Sequence, residues 1–198
     1  MNVYGDLQSG NCLKVKLLLS ILNIEHEWIH VNILDGETQT DEFLSKNPNG
    51  KIPAVELDDR RCLCESNAIL GYFAENTSLL PTDKYEKAKV YEWLFFEQYS
   101  HEPFIAVARF IQKYLGMPKE RVDEYHSLQS GGNKALQLME TQLQLSDYLV
   151  GNRMTIADIS LYAYTHVADE GGFDLNHYPA IQSWCERIKS TPGYVGMM

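Results

Sequence analysis

Positive charge is scarce in this chain. Lys and Arg number 17 against 27 Asp and Glu, a formal net charge of −10. That balance argues against nucleic acid or an anionic membrane as the main partner. Long hydrophobic runs are also missing: no stretch approaches the roughly 18 uncharged apolar residues of a membrane span. Met1 is followed by a strand-like Val3-Tyr4, not by a basic segment and an apolar run, so no secretory leader is expected. Cysteine is sparse, with 4 in 198 residues, too few for a disulfide scaffold. Reduced thiols and a cytoplasmic location are the expectation. Internal repeats and low-complexity tracts are absent. What remains is ordinary for a folded protein: 44% hydrophobic and 22% charged residues. Such values exclude a disordered or collagen-like chain. The length allows one large domain or two small ones.

The first third alternates short strand-like and helical runs. Asn2 to Gly5 reads as a strand, and Leu13 to Leu22 as a helix with Lys14, Lys16 and Ser20 on its outer side. Glu25 to Ile33 is rich in β-formers, with no Gly or Pro. A short helix over Asp41 to Lys46 precedes strands at Ala54–Leu57 and Cys62–Cys64, joined by the polar turn Asp58-Asp59-Arg60-Arg61. A helix over Ala68 to Ala74 closes the order β-α-β-α-β-β-α, an α/β domain. After Leu79-Leu80-Pro81-Thr82-Asp83 the strand signals stop. Helices are expected from Lys84 to Leu115, kinked or split at Pro103, and from Glu120 to Leu149, interrupted near Ser130-Gly131-Gly132. Two more cover Thr155 to His166 and Tyr178 to Ile188. Residues 1–78 thus form one domain, 79–86 a linker and 87–198 an all-α domain.

The motifs differ in weight. His26-Glu27-Trp28-Ile29-His30 matches the H-E-x-x-H zinc pattern, which needs a helix. On a strand the two His would lie roughly 13 Å apart, too far for one zinc, so no metal is expected. Cys62 and Cys64 share one strand face and read as small buried hydrophobes. Thr155-Ile156-Ala157-Asp158 fits a helix capping box, so Asp158 reads as a folding residue. Gln8-Ser9-Gly10-Asn11-Cys12 joins the first strand to the first helix, where free amides can face an anion. Ser9 or Asn11 could be a plain N-cap, and Cys12 in the same turn could have a lowered pKa, the alternative being a side chain turned inward with Val15 and Leu19. In Asn47-Pro48-Asn49-Gly50-Lys51-Ile52-Pro53, Ile52-Pro53 is a candidate cis peptide beside backbone that could pair with a ligand. A plain Pro turn is the alternative. Glu65-Ser66 sits where the last strand meets a helix: Ser66 as N-cap would meet a carboxylate and Glu65 an ammonium, together an amino-acid head group.

Together these segments, with Gly151 to Asp158, resemble the cytosolic glutathione S-transferase family, and bacterial theta-, nu- and beta-like members above all. The resemblance covers nearly the whole chain. It implies an α/β thioredoxin-like N-terminal domain plus an all-α C-terminal domain. It implies a glutathione transferase that turns the glutathione thiol into a thiolate for attack on a small hydrophobic electrophile. Ser9 then donates to the glutathione sulfur, with Asn11 as second donor or orienting group. Ile52 pairs with the cysteinyl backbone beside Pro53; Glu65 and Ser66 bind the γ-glutamyl end; Lys51 and Gln39 lie toward the rest of the tripeptide. Leu7, Tyr99, Phe104 and Arg109 are candidates for the second substrate, expected between the domains. For these, core packing of the aromatics and an ion pair for Arg109 are the alternative. Glutathione is the co-substrate, and a homodimer is implied. Tyr4 falls inside a strand, so the first loop holds no Tyr to activate a thiol, and the Cys that beta-like members carry near the Ser9 position is displaced to Cys12. Peroxidase, disulfide-bond reductase or isomerase chemistry, or binding without turnover, are the alternatives on the same fold.

Overall fold

Val3, Tyr4, Trp28, Ile29 and Val55 mark three of four short strands among the described residues, Leu63 lies in the fourth, and each strand finds a neighbour. β1 (Asn2–Gly5), β2 (Glu27–His30), β3 (Ala54–Glu56) and β4 (Cys62–Cys64) form one mixed sheet in the order β2-β1-β3-β4. The computed structural model describes residues 1–197. β1 runs parallel to β2 and antiparallel to β3, and β3 is antiparallel to β4. Tyr4 stands opposite Ala54, Ala54 opposite Cys64, and Gly5 opposite His30. The second strand is shorter than its β-forming sequence suggests, because only Glu27 to His30 lie beside β1.

Side chains alternate across a strand, and that alternation divides the core. Val3 and Val55 face α1 (Gly10–Ile21) and α3 (Ser66–Ala74), meeting Val15, Leu19 and Ile69, with Trp28, Leu57 and Leu63 alongside. Tyr4 and Ala54 face the other way, toward Val31 and Phe43 of α2 (Asp41–Leu44), with Ile29, Ile52 and Cys64 around them. Each large side chain so buried contributes roughly 1.5–3 kcal/mol. Cys62 and Cys64 are half-buried, not fully buried as expected, since β4 forms an edge of the sheet.

Two expectations fail in this region. Lys14 does not face outward: it is fully buried, because α1 is covered almost all round, while Lys16 and Ser20 are half-exposed. Ser66 is not the N-cap of α3 but its first residue; Glu65 holds the cap position at φ 64° without a side-chain cap bond.

The chain divides into two compact units, Met1–Glu75 with the tail from Thr191 onward, and Asn76–Ser190. The tail settles on the first unit, where a Cβ on Gly193 (φ +80°) would meet Ser20 O at 2.9 Å. The second unit is helical. Leu79, Leu80 and Pro81 are buried in it, and Leu79 O accepts from Ile156 N at 2.9 Å. α4 (Lys84–Phe96) is capped by Asp83, whose Oδ1 accepts from Tyr85 and Glu86 amides. A π turn (Glu97–His101) leads directly into α5 (Glu102–Arg109), and a second π turn (Phe110–Tyr114) follows. Pro103 falls in the first turn of α5, where a missing amide costs little.

α6 (Val122–Leu143) runs unbroken through Gly131 and Gly132, against expectation. These glycines are not breakers there. A Cβ on Gly131 would lie 2.3 Å from the Phe104 ring, and one on Gly132 2.3 Å from the Phe173 ring, so the pair makes room for two aromatics. α7 (Ile156–Thr165) carries the expected capping box. Asp158 accepts from Thr155 N, Thr155 Oγ1, Leu149 N and Trp184 Nε1, all at 2.8 to 3.0 Å. It is fully buried, and that burial pushes its carboxyl above the ordinary carboxylate range against the pull of those donors. α8 (Pro179–Lys189) starts on a proline, and its first amides at Ala180 and Ile181 donate to the buried Glu140. No helix among the described residues is long and apolar enough to cross a membrane.

Candidate functional site

The register of the sheet sets where a site can form. Because Tyr4, Ala54 and Cys64 lie in one row and Gly5 lies beside His30, four segments emerge at one end of the sheet. They are the loop after β1, the loop after β2, the approach to β3 and the turn after β4. Ser9 and Asn11, Gln39, Lys51 to Pro53, and Glu65 with Ser66 are carried on these four segments.

The first segment is built by its own backbone. Asp6 Oδ1 accepts from Gln8 N at 2.9 Å and Asp6 O from Ser9 N at 3.1 Å, a tight turn that delivers Ser9 to the start of α1. Ser9 is the N-cap, extended at φ −79° and ψ 126°, and its Oγ accepts from Cys12 N at 3.4 Å. The cap and the candidate hydroxyl are therefore one residue. Capping uses a lone pair of the oxygen, and the hydroxyl also bonds to the Cys12 thiol. Cys12 turns inward, fully buried beside Gly5. Burial raises its thiol to about 12, outweighing the hydrogen bonds from Ser9 and the Asp6 backbone that pull it down.

Asn11 points to the other end of the site: its Oδ1 accepts from Ser66 Oγ at 3.1 Å. Lys14 Nζ donates to the same Ser66 Oγ at 3.4 Å. Sequence reasoning missed Lys14, since a lysine in a helix normally reads as solvent-facing. Tyr4 is occupied elsewhere. Burial, helped by its bond to Glu56 Oε2 at 2.9 Å, holds its phenol above the ordinary value, and Lys46 sits 5.2 Å over its ring.

Asn47, which opens the motif but had no role assigned from sequence, organises the third segment. It is buried; its Nδ2 donates to Lys51 O at 2.6 Å and its Oδ1 accepts from Asn49 N at 3.1 Å. Gly50 takes φ +61°, and Gln39 Nε2 donates to Gly50 O at 3.3 Å, which ties the second segment to the third. Lys51 is exposed. Ile52-Pro53 is cis. The backbone of Ile52 makes no hydrogen bond among the described residues.

The residues offered for a second substrate have varied fates. Leu7 is half-buried and Tyr99 is 84% exposed. Phe104 packs on Gly131. Arg109 is 3% exposed, and its Nε donates to Glu170 Oε2 at 2.6 Å while Lys113 Nζ meets Oε1 at 2.8 Å. Partial burial works to raise the Glu170 carboxyl, but the two cations together hold it below its ordinary value. Arg109 is thus an ion-pair residue in the second unit. His26 Nδ1 lies 2.9 Å from Ile24 O, and Glu27 to His30 form a strand, not the helix a zinc motif requires. Among the described residues no group of three His, Cys, Asp or Glu is placed to hold a metal ion.

The Glutathione S-transferase N-terminal domain matches residues 1–75, and the Glutathione S-transferase C-terminal domain matches residues 98–192. The chain belongs to the glutathione S-transferase family. The crystal structure of a glutathione S-transferase from Pseudomonas fluorescens is 58% identical, with a TM-score of 0.98 over 100% of this chain and 98% of that one. The disulfide-bond oxidoreductase YfcG of Escherichia coli is 28% identical over 90% of this chain and 86% of its own length. Elongation factor 1-gamma of Artemia salina is 36% identical over 68% of this chain, which spans only 32% of that relative. This glutathione S-transferase family member keeps the mixed sheet, with the helical second unit after it.

Proposed function

We propose that this protein is a glutathione transferase, acting in the cytoplasm as a homodimer, and that the capping hydroxyl of Ser9 stabilises the glutathione thiolate. The observation that carries the reading is the double position of Ser9. Its oxygen caps α1, and its hydroxyl stands at the helix's positive end, where a glutathione sulfur would take over from the Cys12 thiol as its acceptor. A thiol of pKa about 8.5 is only a few per cent ionised at neutral pH. Lowering it by roughly two units takes about 2.7 kcal/mol. A hydroxyl donating to an anion supplies roughly 1.5–3 kcal/mol, and the helix end adds up to about 1–2 kcal/mol. Ser9 is a donor in this scheme and not a base. The proton leaves to solvent, the sulfur attacks the electrophilic carbon, a C–S bond forms, and the leaving group departs with its electron pair.

The rest of the tripeptide follows from the other segments. Ile52 offers unpaired backbone to the cysteinyl residue, in the manner of an added strand. Ser66 and the start of α3 receive the γ-glutamyl carboxylate, and Glu65 the ammonium. Gln39 and Lys51 lie toward the glycine end. The 58% identity to the Pseudomonas fluorescens enzyme supports the reading.

Retention on immobilised glutathione and conjugation of an aryl halide test the proposal directly. Neither occurring would remove it. A second reading, glutathione-dependent reduction of disulfides, draws on the likeness to YfcG. Turnover of a mixed disulfide without turnover of aryl halides would favour it.

A further inference from the structure

Among the described residues of the first unit, Lys14 is the one lysine buried completely, and the thiol chemistry proposed above does not use it. A buried ammonium is retained only where acceptors meet its three donors. Ser66 Oγ is among the acceptors that Lys14 meets, at 3.4 Å. Ser66 in turn donates to Asn11 Oδ1 at 3.1 Å. A serine hydroxyl has one hydrogen and two lone pairs. With Lys14 on a lone pair, the hydroxyl acts as a donor, and a cationic donor polarises its O–H further. In the unliganded protein that hydrogen goes to Asn11. Ser66 also opens α3, and Glu65 before it stands at φ 64°, a region that residues other than glycine seldom adopt. This turn places the polarised hydroxyl at the mouth of the helix, where its amides face outward.

We propose that Lys14 is a positioning residue of the carboxylate subsite: by donating to Ser66 Oγ it commits that hydroxyl to donate, to Asn11 when the site is empty and to a ligand α-carboxylate when it is filled. The bond to Lys14 uses a lone pair and survives the change of acceptor. Lys14 is thus the pivot about which the hydroxyl turns and need not touch the ligand. This inference rests on the reading of the site as a glutathione site.

The test is calorimetric binding of glutathione and of its γ-glutamyl α-amide, which lacks only the carboxylate charge. In the unmodified protein glutathione binds more tightly than the amide. Lys14→Met weakens glutathione about tenfold and the amide less than about twofold, as expected for loss of a hydrogen bond to a charged group. Equal weakening of both ligands, as a structural role would give, overturns the proposal, and so does no weakening. If Lys14→Met does not fold, Lys14→Gln is used. In the unmodified protein the 15N resonance of the Lys14 ammonium also shifts on adding glutathione and stays in place with the amide; a resonance that ignores both ligands overturns the proposal without any variant. Failure of the unmodified protein to bind glutathione removes the glutathione reading itself. Binding without the selective loss removes only the role of Lys14.

Discussion

In the proposed mechanism Ser9 carries two roles through one oxygen. Its replacement by Ala removes the proposed donor to the glutathione sulfur and the acceptor for Cys12 N. The expected result is at least a roughly tenfold fall in kcat/KM with an aryl halide, the loss of about 1.4 kcal/mol or more from the transition state. An unchanged rate takes Ser9 out of the mechanism. Cys12 lies three residues on and behaves oppositely. Burial holds both Cys12 and Cys185 at about 12, against an ordinary 9.0. A raised pKa in the folded state favours the protonated thiol. The associated stability is therefore complete below the ordinary value and is lost as pH rises from about 9 toward 12. Urea midpoints should fall over that window, and the fall should be shallower in Cys12→Ala and Cys185→Ala; identical slopes would contradict the assignment. At neutral pH the folded protein should leave both thiols unalkylated. The N-cap at Ser9 was legible in the sequence because a small polar residue between a strand and a helix is a local capping signal. Lys14 was not legible: local pattern reads a lysine as solvated, and only the packing of α1 against α3 shows the ammonium meeting Ser66.

Elements were read more reliably in type than in extent. The four strands and the order of the first unit follow from composition and turn residues. The length of β2 does not, since a strand ends where its neighbour ends. Gly131-Gly132 shows the same limit from another side. Locally the pair resembles a helix break, costing roughly 1 kcal/mol per residue against Ala. In the fold it is a slot for Phe104 and Phe173 inside α6. Gly132→Ala would gain helix propensity but place a methyl 2.3 Å from the Phe173 ring and 3.3 Å from Ile105. Overpacking of this kind costs about 1–3 kcal/mol, more than propensity returns. A lower urea midpoint is expected, and an unchanged or higher one would contradict the packing account. The capping box at Thr155 to Asp158 was legible because it is local. Its further bonds to Leu149 N and Trp184 Nε1 were not, as they arrive from distant sequence.

At the scale of the molecule, an acidic chain with few cysteines and no apolar span folds into an α/β unit and a helical unit. The β-α-β-α-β-β-α order and the loss of strand signals beyond residue 79 made that division visible in sequence. The roles of Tyr99, Phe104 and Arg109 were not visible, because an aromatic or an arginine on a helix carries no mark of what it faces. Arg109 proves to be tied to Glu170. The proposed homodimer predicts sedimentation at twice the 22.7 kDa chain mass; a single-chain mass at micromolar concentration would contradict it. The central claim concerns where one sulfur atom rests. A crystal structure of the protein soaked in glutathione tests it most directly. The account predicts the sulfur at about 3 to 3.5 Å from Ser9 Oγ, with the γ-glutamyl carboxylate at the first turn of α3. A sulfur held beyond hydrogen-bond reach of that oxygen, or an unoccupied groove at millimolar glutathione, would contradict it.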